Sequence, residues 1–407
     1  MNNYQITTSQ CSPNNILAVC VVIRKHFFKD RQYYLSLTQH SLTLSDGPNQ
    51  KSPKYTQLLG LDIVFTWLLD QQNIIGFTLF YRGQVKEFYG KASDMQYLRE
   101  KMGQLVIYDN IKKFYFLNEK NEKGSFGKVM LGICKLSQKQ VAIKQLEIQK
   151  NSQPVIKNEI NILRTIYNYY SQNILELKEV FKDKYSYFIV TEFIEGYNLQ
   201  QLLSTRKTPY SLQESLYIVE QVLKGLTQIH QSRVIHRDLK PSNIMYNYNK
   251  IKIIDFGLSC FCGKQLDEFP NCGTTGYCAP EVLNAQKTIL TYNYKVDIFS
   301  LGCIFYEILT LKKVFPYNKE QSTYYQNQNC LINIEEQGQI YDLIKLFLKE
   351  DPKQRLDTFQ ALKLVQNFIE MKNFDVNTWY KIQFEKDSLR NNSDENFIQN
   401  LSGIFKF

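Results

Sequence analysis

His236-Arg237-Asp238-Leu239-Lys240-Pro241-Ser242-Asn243 is the run that decides how this chain is read. It brings a carboxylate, an ammonium and a side-chain amide within a few residues of one another. These groups can accept a proton, neutralise an anion and ligate a hard cation. Seventeen residues beyond Asp238, the triplet Asp255-Phe256-Gly257 closes the apolar stretch Ile251 to Ile254. An isolated Asp-x-Gly is most often a turn. Here Gly273-Thr274-Thr275-Gly276-Tyr277-Cys278-Ala279-Pro280-Glu281 comes after it, and that ordered succession weighs against chance.

Working back from the run, Gly124-Ser125-Phe126-Gly127-Lys128-Val129 lies between two strand-like stretches. Glycines there let backbone N–H groups approach phosphate oxygens, although a plain glycine hairpin has the same appearance. Val141-Ala142-Ile143-Lys144 reads as the next strand. Lys144 precedes Glu159 by 15 residues, and Glu159 sits in the helix-like stretch Glu159-Ile160-Asn161-Ile162-Leu163, so helix packed on sheet can pair the two. A phosphate cradle, a cation, hard oxygen donors and a base are the parts that phosphoryl transfer requires.

In order and spacing these motifs resemble the eukaryotic protein kinase family over roughly residues 113 to 370. The resemblance implies an α+β, bilobal fold: a small β-rich lobe, then a larger helical one. It implies transfer of the ATP γ-phosphoryl group, with Mg²⁺, to hydroxyls of protein substrates. Lys240-Pro241 is similar to the serine/threonine branch. Residue by residue, Asp238 would be the base and Lys240 would neutralise the γ-phosphate. Lys144 and Glu159 would clamp the α- and β-phosphates, Thr274 would contact Asp238 and Lys240, and Asn243 and Asp255 would hold metal. Nucleotide would be lined by Glu122, Lys123, Gly124, Ser125, Phe126, Gly127, Val129, Ala142, Lys144 and Met245, with Thr191 as gatekeeper and the backbone of Glu192 and Ile194 reading adenine. Asp297 would anchor the catalytic-loop backbone, Arg355 would pair with Glu281, and Leu163, Leu177, His236 and Phe256 would form an internal apolar column. His236 is then structural rather than a base.

Two features depart from the family pattern. Glu122 replaces the first glycine of the loop. The segment from Leu258 to Cys272 has Ser259 as its one serine or threonine, and Pro270 stands where a phosphorylated residue is usual. The expectation is a segment held without phosphorylation, with Asp267 or Glu268 offering Arg237 a carboxylate. Cys260, Cys262, Cys272 and Cys278 crowd the same region, at a spacing that matches no common zinc site.

The remaining chain is read from composition and periodicity. Its 407 residues suit two or three domains, and 43% hydrophobic with 14% aromatic residues supports real cores. The net charge of +10 is spread among interleaved acids, so no nucleic-acid partner is expected. Nine irregularly spaced cysteines suggest reduced thiols; with a polar start and no long apolar run, the expectation is a cytoplasmic protein. Residues 14–107 alternate like strands and end in helical spacing at Met95, Leu98, Met102 and Leu105, with Ser93 as N-cap. That order predicts a small barrel or sandwich capped by a helix. The stretch from Arg24 to Leu35 resembles the first hairpin of a pleckstrin-homology domain. The resemblance implies phosphoinositide contact by Arg24, Lys25, Lys29 and Arg31 and peripheral membrane attachment, the alternative being a protein-docking module. Asp30 dilutes the basic loop, and Tyr97 or Leu98 stands near the place of the family's helix tryptophan. Tyr108 to Lys113 reads as the linker into the 113–370 region. Residues 371–407 read as a tail in which Phe374 to Trp379 faintly resembles that of the protein kinase A, G and C group. Nothing in the sequence indicates an oligomeric state.

Overall fold

The computed structural model describes residues 16–370, apart from 27, 49–51, 61–62, 119–121, 125–126, 151, 168–171, 248–249, 264–271, 286–292, 318 and 320, with 122–124 described by backbone only. The chain divides into two compact units: one running to Lys157 and including Leu177–Phe193, the other formed by Asn158–Glu176 and the chain from Ile194 on. Ser125, Phe126, Asp267, Glu268, Pro270 and the 371–407 tail lie outside the described residues.

The first unit opens with strands β1 (Ile16–Arg24), β2 (Arg31–Thr38), β3 (Ser41–Ser45), β4 (Tyr55–Leu58), β5 (Val64–Asp70), β6 (Asn73–Tyr81) and β7 (Gln84–Gly90), and then helix α1 (Ala92–Met102). Alternation puts Tyr33, Leu35, Leu37, Leu42 and Leu44 on one buried face, where they meet Trp67, Phe77 and Phe88. From α1, the stripe Met95, Leu98 and Met102 completes this core. The helix is capped by Lys91 without a side-chain bond; Ser93, predicted as N-cap, lies inside it with its hydroxyl on Asp94. Gly76 is needed because a Cβ there would collide with the Phe88 carbonyl across the β6–β7 ladder.

The predicted barrel does not close. The ladders run β4-β3-β2-β1-β7-β6-β5, and the other edge of β5 is taken by β8 (Ile107–Asp109), in parallel, with Phe65 opposite Tyr108. Residues read as linker therefore contain a strand, whose Ile107 and Tyr108 are fully buried. The sheet continues through β9 (Tyr115–Leu117), β10 (Glu122–Gly124), β11 (Gly127–Cys134), β12 (Gln140–Glu147), β13 (Leu177–Lys182) and β14 (Ser186–Glu192). Strand β8 pairs in parallel with β13, Phe181 facing Tyr108, so among the described residues one 14-stranded sheet runs from β4 to β10.

A buried polar cluster fastens the same junction. Arg99 of α1 donates from Nη2 to Glu179 Oε2 of β13 at 2.6 Å, and the Tyr115 hydroxyl donates to that oxygen at 2.8 Å. The Arg99 guanidinium also lies 3.9 Å from the Phe114 ring centroid. Gln104 Nε2 donates to the Leu177 carbonyl at 2.7 Å, and the Tyr108 hydroxyl to the Arg99 carbonyl at 3.1 Å. Burial, then the Glu179 charge, pushes the Tyr115 phenol well up, so it remains a donor.

The second unit takes in helix α2 (Gln153–Tyr167) from Asn158 onward, then β15 (Tyr197–Asn198), α3 (Leu199–Thr205), α4 (Leu212–Gln231), β16 (Val234–Ile235), β17 (Ile244–Asn247), β18 (Lys250–Ile253), β19 (Cys260–Phe261) and α5 (Pro280–Leu283). Helices α6 (Lys295–Thr310), α7 (Thr323–Gln328), α8 (Gln339–Phe347) and α9 (Thr358–Glu370) complete it. A capping box between Ser211 and Glu214 starts α4. Helix α6 is buried along nearly its whole length from Val296 to Ile308, as expected of an apolar central helix. Arg355 is fully buried and meets Glu281 at 2.6 and 3.1 Å, a bidentate pair that is costly to break from one side. No helix of the described residues is long and apolar enough to cross a membrane.

Candidate active site

Asp238 is 4% exposed and receives hydrogen bonds on both carboxylate oxygens. Thr274 Oγ1 donates to Oδ1 at 2.6 Å. Lys240 Nζ lies 2.8 Å from Oδ2 and 2.7 Å from Thr274 Oγ1, and Asn243 Nδ2 reaches Oδ2 at 3.2 Å. Thr274, read as a contact of Asp238 and Lys240, touches both, and Lys240 and Asn243, read as serving the γ-phosphate and metal, also meet this carboxylate. This fixes the carboxylate in one rotamer beside a cation, the preorganisation asked of a group that must accept a hydroxyl proton on demand.

Backbone geometry builds the loop. Asp297, fully buried on α6, accepts from the backbone N–H of His236 on Oδ2 and of Arg237 on Oδ1, both at 2.9 Å. This holds Arg237 at φ 66, in the left-handed region, where an L residue needs support. His230 Nε2 sits 2.8 Å from Asp297 Oδ2, and its Nδ1 meets Thr358 Oγ1. Burial pushes the Asp297 carboxyl up, but the hydrogen bond and charge of His230 and the charge and amide of His236 outweigh it and hold the group below its usual range. Sequence reasoning missed His230; a lone histidine on an apolar helix gives no signal of a partner 67 residues away.

Asn243 donates its amide nitrogen to the Asp238 carbonyl at 2.8 Å as well as to the carboxylate, which orients its amide oxygen as a hard donor. Its own carbonyl accepts from Ile254 N at 3.0 Å, tying it to the strand that leads into Asp255. Asp255 also adopts the left-handed conformation, at φ 62. An amide oxygen and a carboxylate on two tethered loops fit the all-oxygen coordination of Mg²⁺. His236 stacks edge-on against Phe256 with centroids 5.2 Å apart and bonds the Ile254 carbonyl, which agrees with its structural reading.

On the first unit, Val129 pairs with Lys144, and Ala142 with Thr191. Paired residues share a face, as do residues two apart, so all four lie on one side of β11, β12 and β14. The other side carries Val141, Ile143 and Val190 into the core. Of the residues read as nucleotide-lining, Val129, Ala142, Lys144 and Thr191 thus share the face away from the core. Glu122, Lys123 and Gly124 form strand β10 against β11, Glu192 ends β14, and Gly127 closes the hairpin at φ 154. Ile194 and Met245 belong to the second unit, as does Glu159, buried in α2.

The start of the activation segment is ordered by β19, which pairs with β16. Ser259 is 1% exposed and donates to the His236 carbonyl at 3.1 Å, while Arg237 Nε donates to the Leu258 carbonyl at 2.6 Å. Cys260 is buried, and burial pushes its thiol up to about 12. In the first hairpin, Arg31 stands directly opposite Arg24, which reaches the Tyr55 hydroxyl at 3.0 Å. Lys25 covers the Tyr89 ring at 4.5 Å, and Lys29 is exposed.

This fold and this loop define a protein kinase domain. The family model for that domain matches residues 117–366, more than half the chain, and the chain belongs to the family, whose members use ATP and Mg²⁺. Its relatives include the probable serine/threonine-protein kinase 2 of Plasmodium falciparum, 31% identical over 261 residues, covering 62% of this chain and 49% of the relative. Rat calcium/calmodulin-dependent protein kinase type IV is 30% identical over 266 residues, 63% of this chain and 54% of the relative. The fission yeast serine/threonine-protein kinase cds1 is 32% identical over 262 residues, with 59% and 55% covered. The chain thus spans about half the length of the curated relatives it matches.

Proposed function

We propose that the chain transfers the γ-phosphoryl group of ATP to serine or threonine hydroxyls of protein substrates. The observation that carries this reading is the ring of donors on Asp238. The substrate hydroxyl gives its proton to Asp238 as its oxygen attacks the γ-phosphorus, the bond from that phosphorus to the β-phosphate oxygen breaks, and ADP leaves. Lys240 balances charge on the transferred group, and Asn243 and Asp255 would hold Mg²⁺, which would supply positive charge against the phosphates. Incubating the chain with γ-labelled ATP, Mg²⁺ and a generic basic protein tests it. Label is expected with wild type and at least ~100-fold less with Asp238→Asn; equal label in both refutes it.

The segment works without a phosphate in this reading. Support comes from Ser259, whose hydroxyl is buried and engaged, and from Arg237, whose guanidinium serves the Leu258 carbonyl. A phosphate required for activity between residues 258 and 273, found by mass spectrometry, would overturn this.

The N-terminal seven strands and helix support a pleckstrin-homology-like module that binds phosphoinositide surfaces and attaches the chain, cytoplasmic otherwise, to membranes. The observation behind it is the Arg24–Arg31 pair: like charges placed directly opposite favour a bound anion. Sedimentation with phosphoinositide vesicles should fall on Lys29→Ala and Arg31→Ala; unchanged binding contradicts it.

A further inference from the structure

Helix α7 carries a fully buried amide, Asn327, that phosphoryl chemistry does not use and no motif marks. Its Oδ1 accepts from Gly276 N at 2.8 Å, and its Nδ2 donates to the Cys278 carbonyl at 2.7 Å. One side chain therefore satisfies main-chain groups on either side of Tyr277, as a neighbouring strand would. The segment it grips leaves directly from Thr274, whose hydroxyl touches Asp238. The amides of Tyr277 and Cys278 both return to the Thr274 carbonyl at 3.1 Å, so the turn is rigid once its outer edge is held. Tyr277 is held from α6, its hydroxyl donating to Glu307 at 2.6 Å. Gln326, beside Asn327, bonds the carbonyls of Pro316 and Gln321 at 2.8 and 3.0 Å and fixes α7 itself.

A peptide whose hydroxyl reaches Asp238 must run its flanking main chain alongside Thr274 and the residues just beyond it, where Thr275 is exposed. We propose that Asn327 is a positioning residue for protein substrate. It holds Gly276–Cys278 in the one conformation that receives the chain adjoining the acceptor hydroxyl, and it leaves the Asp238 constellation to its own bonds. An apolar residue at 327 would leave a buried N–H and C=O unpaired, and the segment would leave the docking-competent shape to solvate them. Gly276 sits at φ +95, one of many conformations open to glycine, so the bond from its N–H to Asn327 selects this one from a wide range.

The inference rests on the phosphotransfer reading, and steady-state kinetics on a serine peptide separate the two. Wild-type turnover tests the reading itself. For Asn327→Leu, the KM for peptide should rise at least ~10-fold, with kcat and the KM for ATP within about threefold, since the lost interaction is uniform binding rather than transition-state stabilisation. Asn327→Asp, which keeps the acceptor for Gly276 N but loses the donor, should fall between. Thermal unfolding of each variant is measured in parallel. An unchanged peptide KM in both variants overturns the proposal. So does a fall in kcat that tracks a lowered unfolding temperature without a KM split.

Discussion

Two buried carboxylates hold this molecule's two critical junctions, and they differ in how the sequence records them. Asp297 lies on one helix and gathers the backbone of the catalytic loop; its neighbourhood is spelled out in a motif, and its partners His236 and Arg237 belong to another. Glu179 lies in mid-strand and gathers Arg99 and Tyr115, at separations of 80 and 64 residues, with no motif around any of the three. The first fixes chemistry that recurs across a family. The second fixes an attachment, joining the N-terminal segment to the sheet that carries Lys144 and Thr191. A buried carboxylate serves in either case because oriented donors meet it: on both oxygens at Asp297, and twice on Oε2 at Glu179.

The comparison can be broken from either side. The largest effect is expected from Asp297→Ala, which strands two backbone N–H groups and the His230 ring: about 3–5 kcal/mol of stability by denaturant titration, with phosphotransfer lost. Arg99→Leu leaves Glu179 buried and uncompensated and should cost a similar amount, about 3–5 kcal/mol. The Arg99→Leu, Glu179→Leu pair should recover much of that loss, since replacing both partners of a buried pair with apolar groups is often near neutral. Tyr115→Phe removes one hydrogen bond to a charged group and should cost about 1.5–3 kcal/mol. Acid titration sharpens the contrast further. The Asp297 carboxyl lies below its usual value of 3.8, so its contribution is complete above that pH and lost as pH falls through the lowered value. Asn at 297 should remove that acid-side loss in an ellipticity titration.

Most of the catalytic constellation is legible in the sequence, because its chemistry demands fixed residue types at short spacings: Asp238, Lys240 and Asn243 within one loop, and Thr274 in the next motif. The shared face of Val129, Ala142, Lys144 and Thr191 comes from strand periodicity once the pairing is known. What escapes reading depends on long-range pairing. The open edge of β5 is filled by β8 rather than by β4, which no local pattern specifies, so no barrel forms although its strands and helix do. Ser93 has the chemistry of a cap, yet the chain enters the helix two residues earlier, at Lys91. His230, Glu179 and Asn327 are single polar residues on otherwise ordinary elements, and only their partners reveal them.

The central claim is that the sheet bearing Lys144 is completed by the N-terminal segment, so the two lose structure together. Trp67 is buried in that segment's core, and Trp379 is the one other tryptophan, so a Trp379→Phe background isolates the report. The deciding measurement compares Trp67 fluorescence with phosphotransfer across a denaturant series, in that background with and without Arg99→Leu. The account predicts that Arg99→Leu moves both transitions to lower denaturant, and by the same amount. A Trp67 transition that moves while phosphotransfer persists to the original concentration would contradict it.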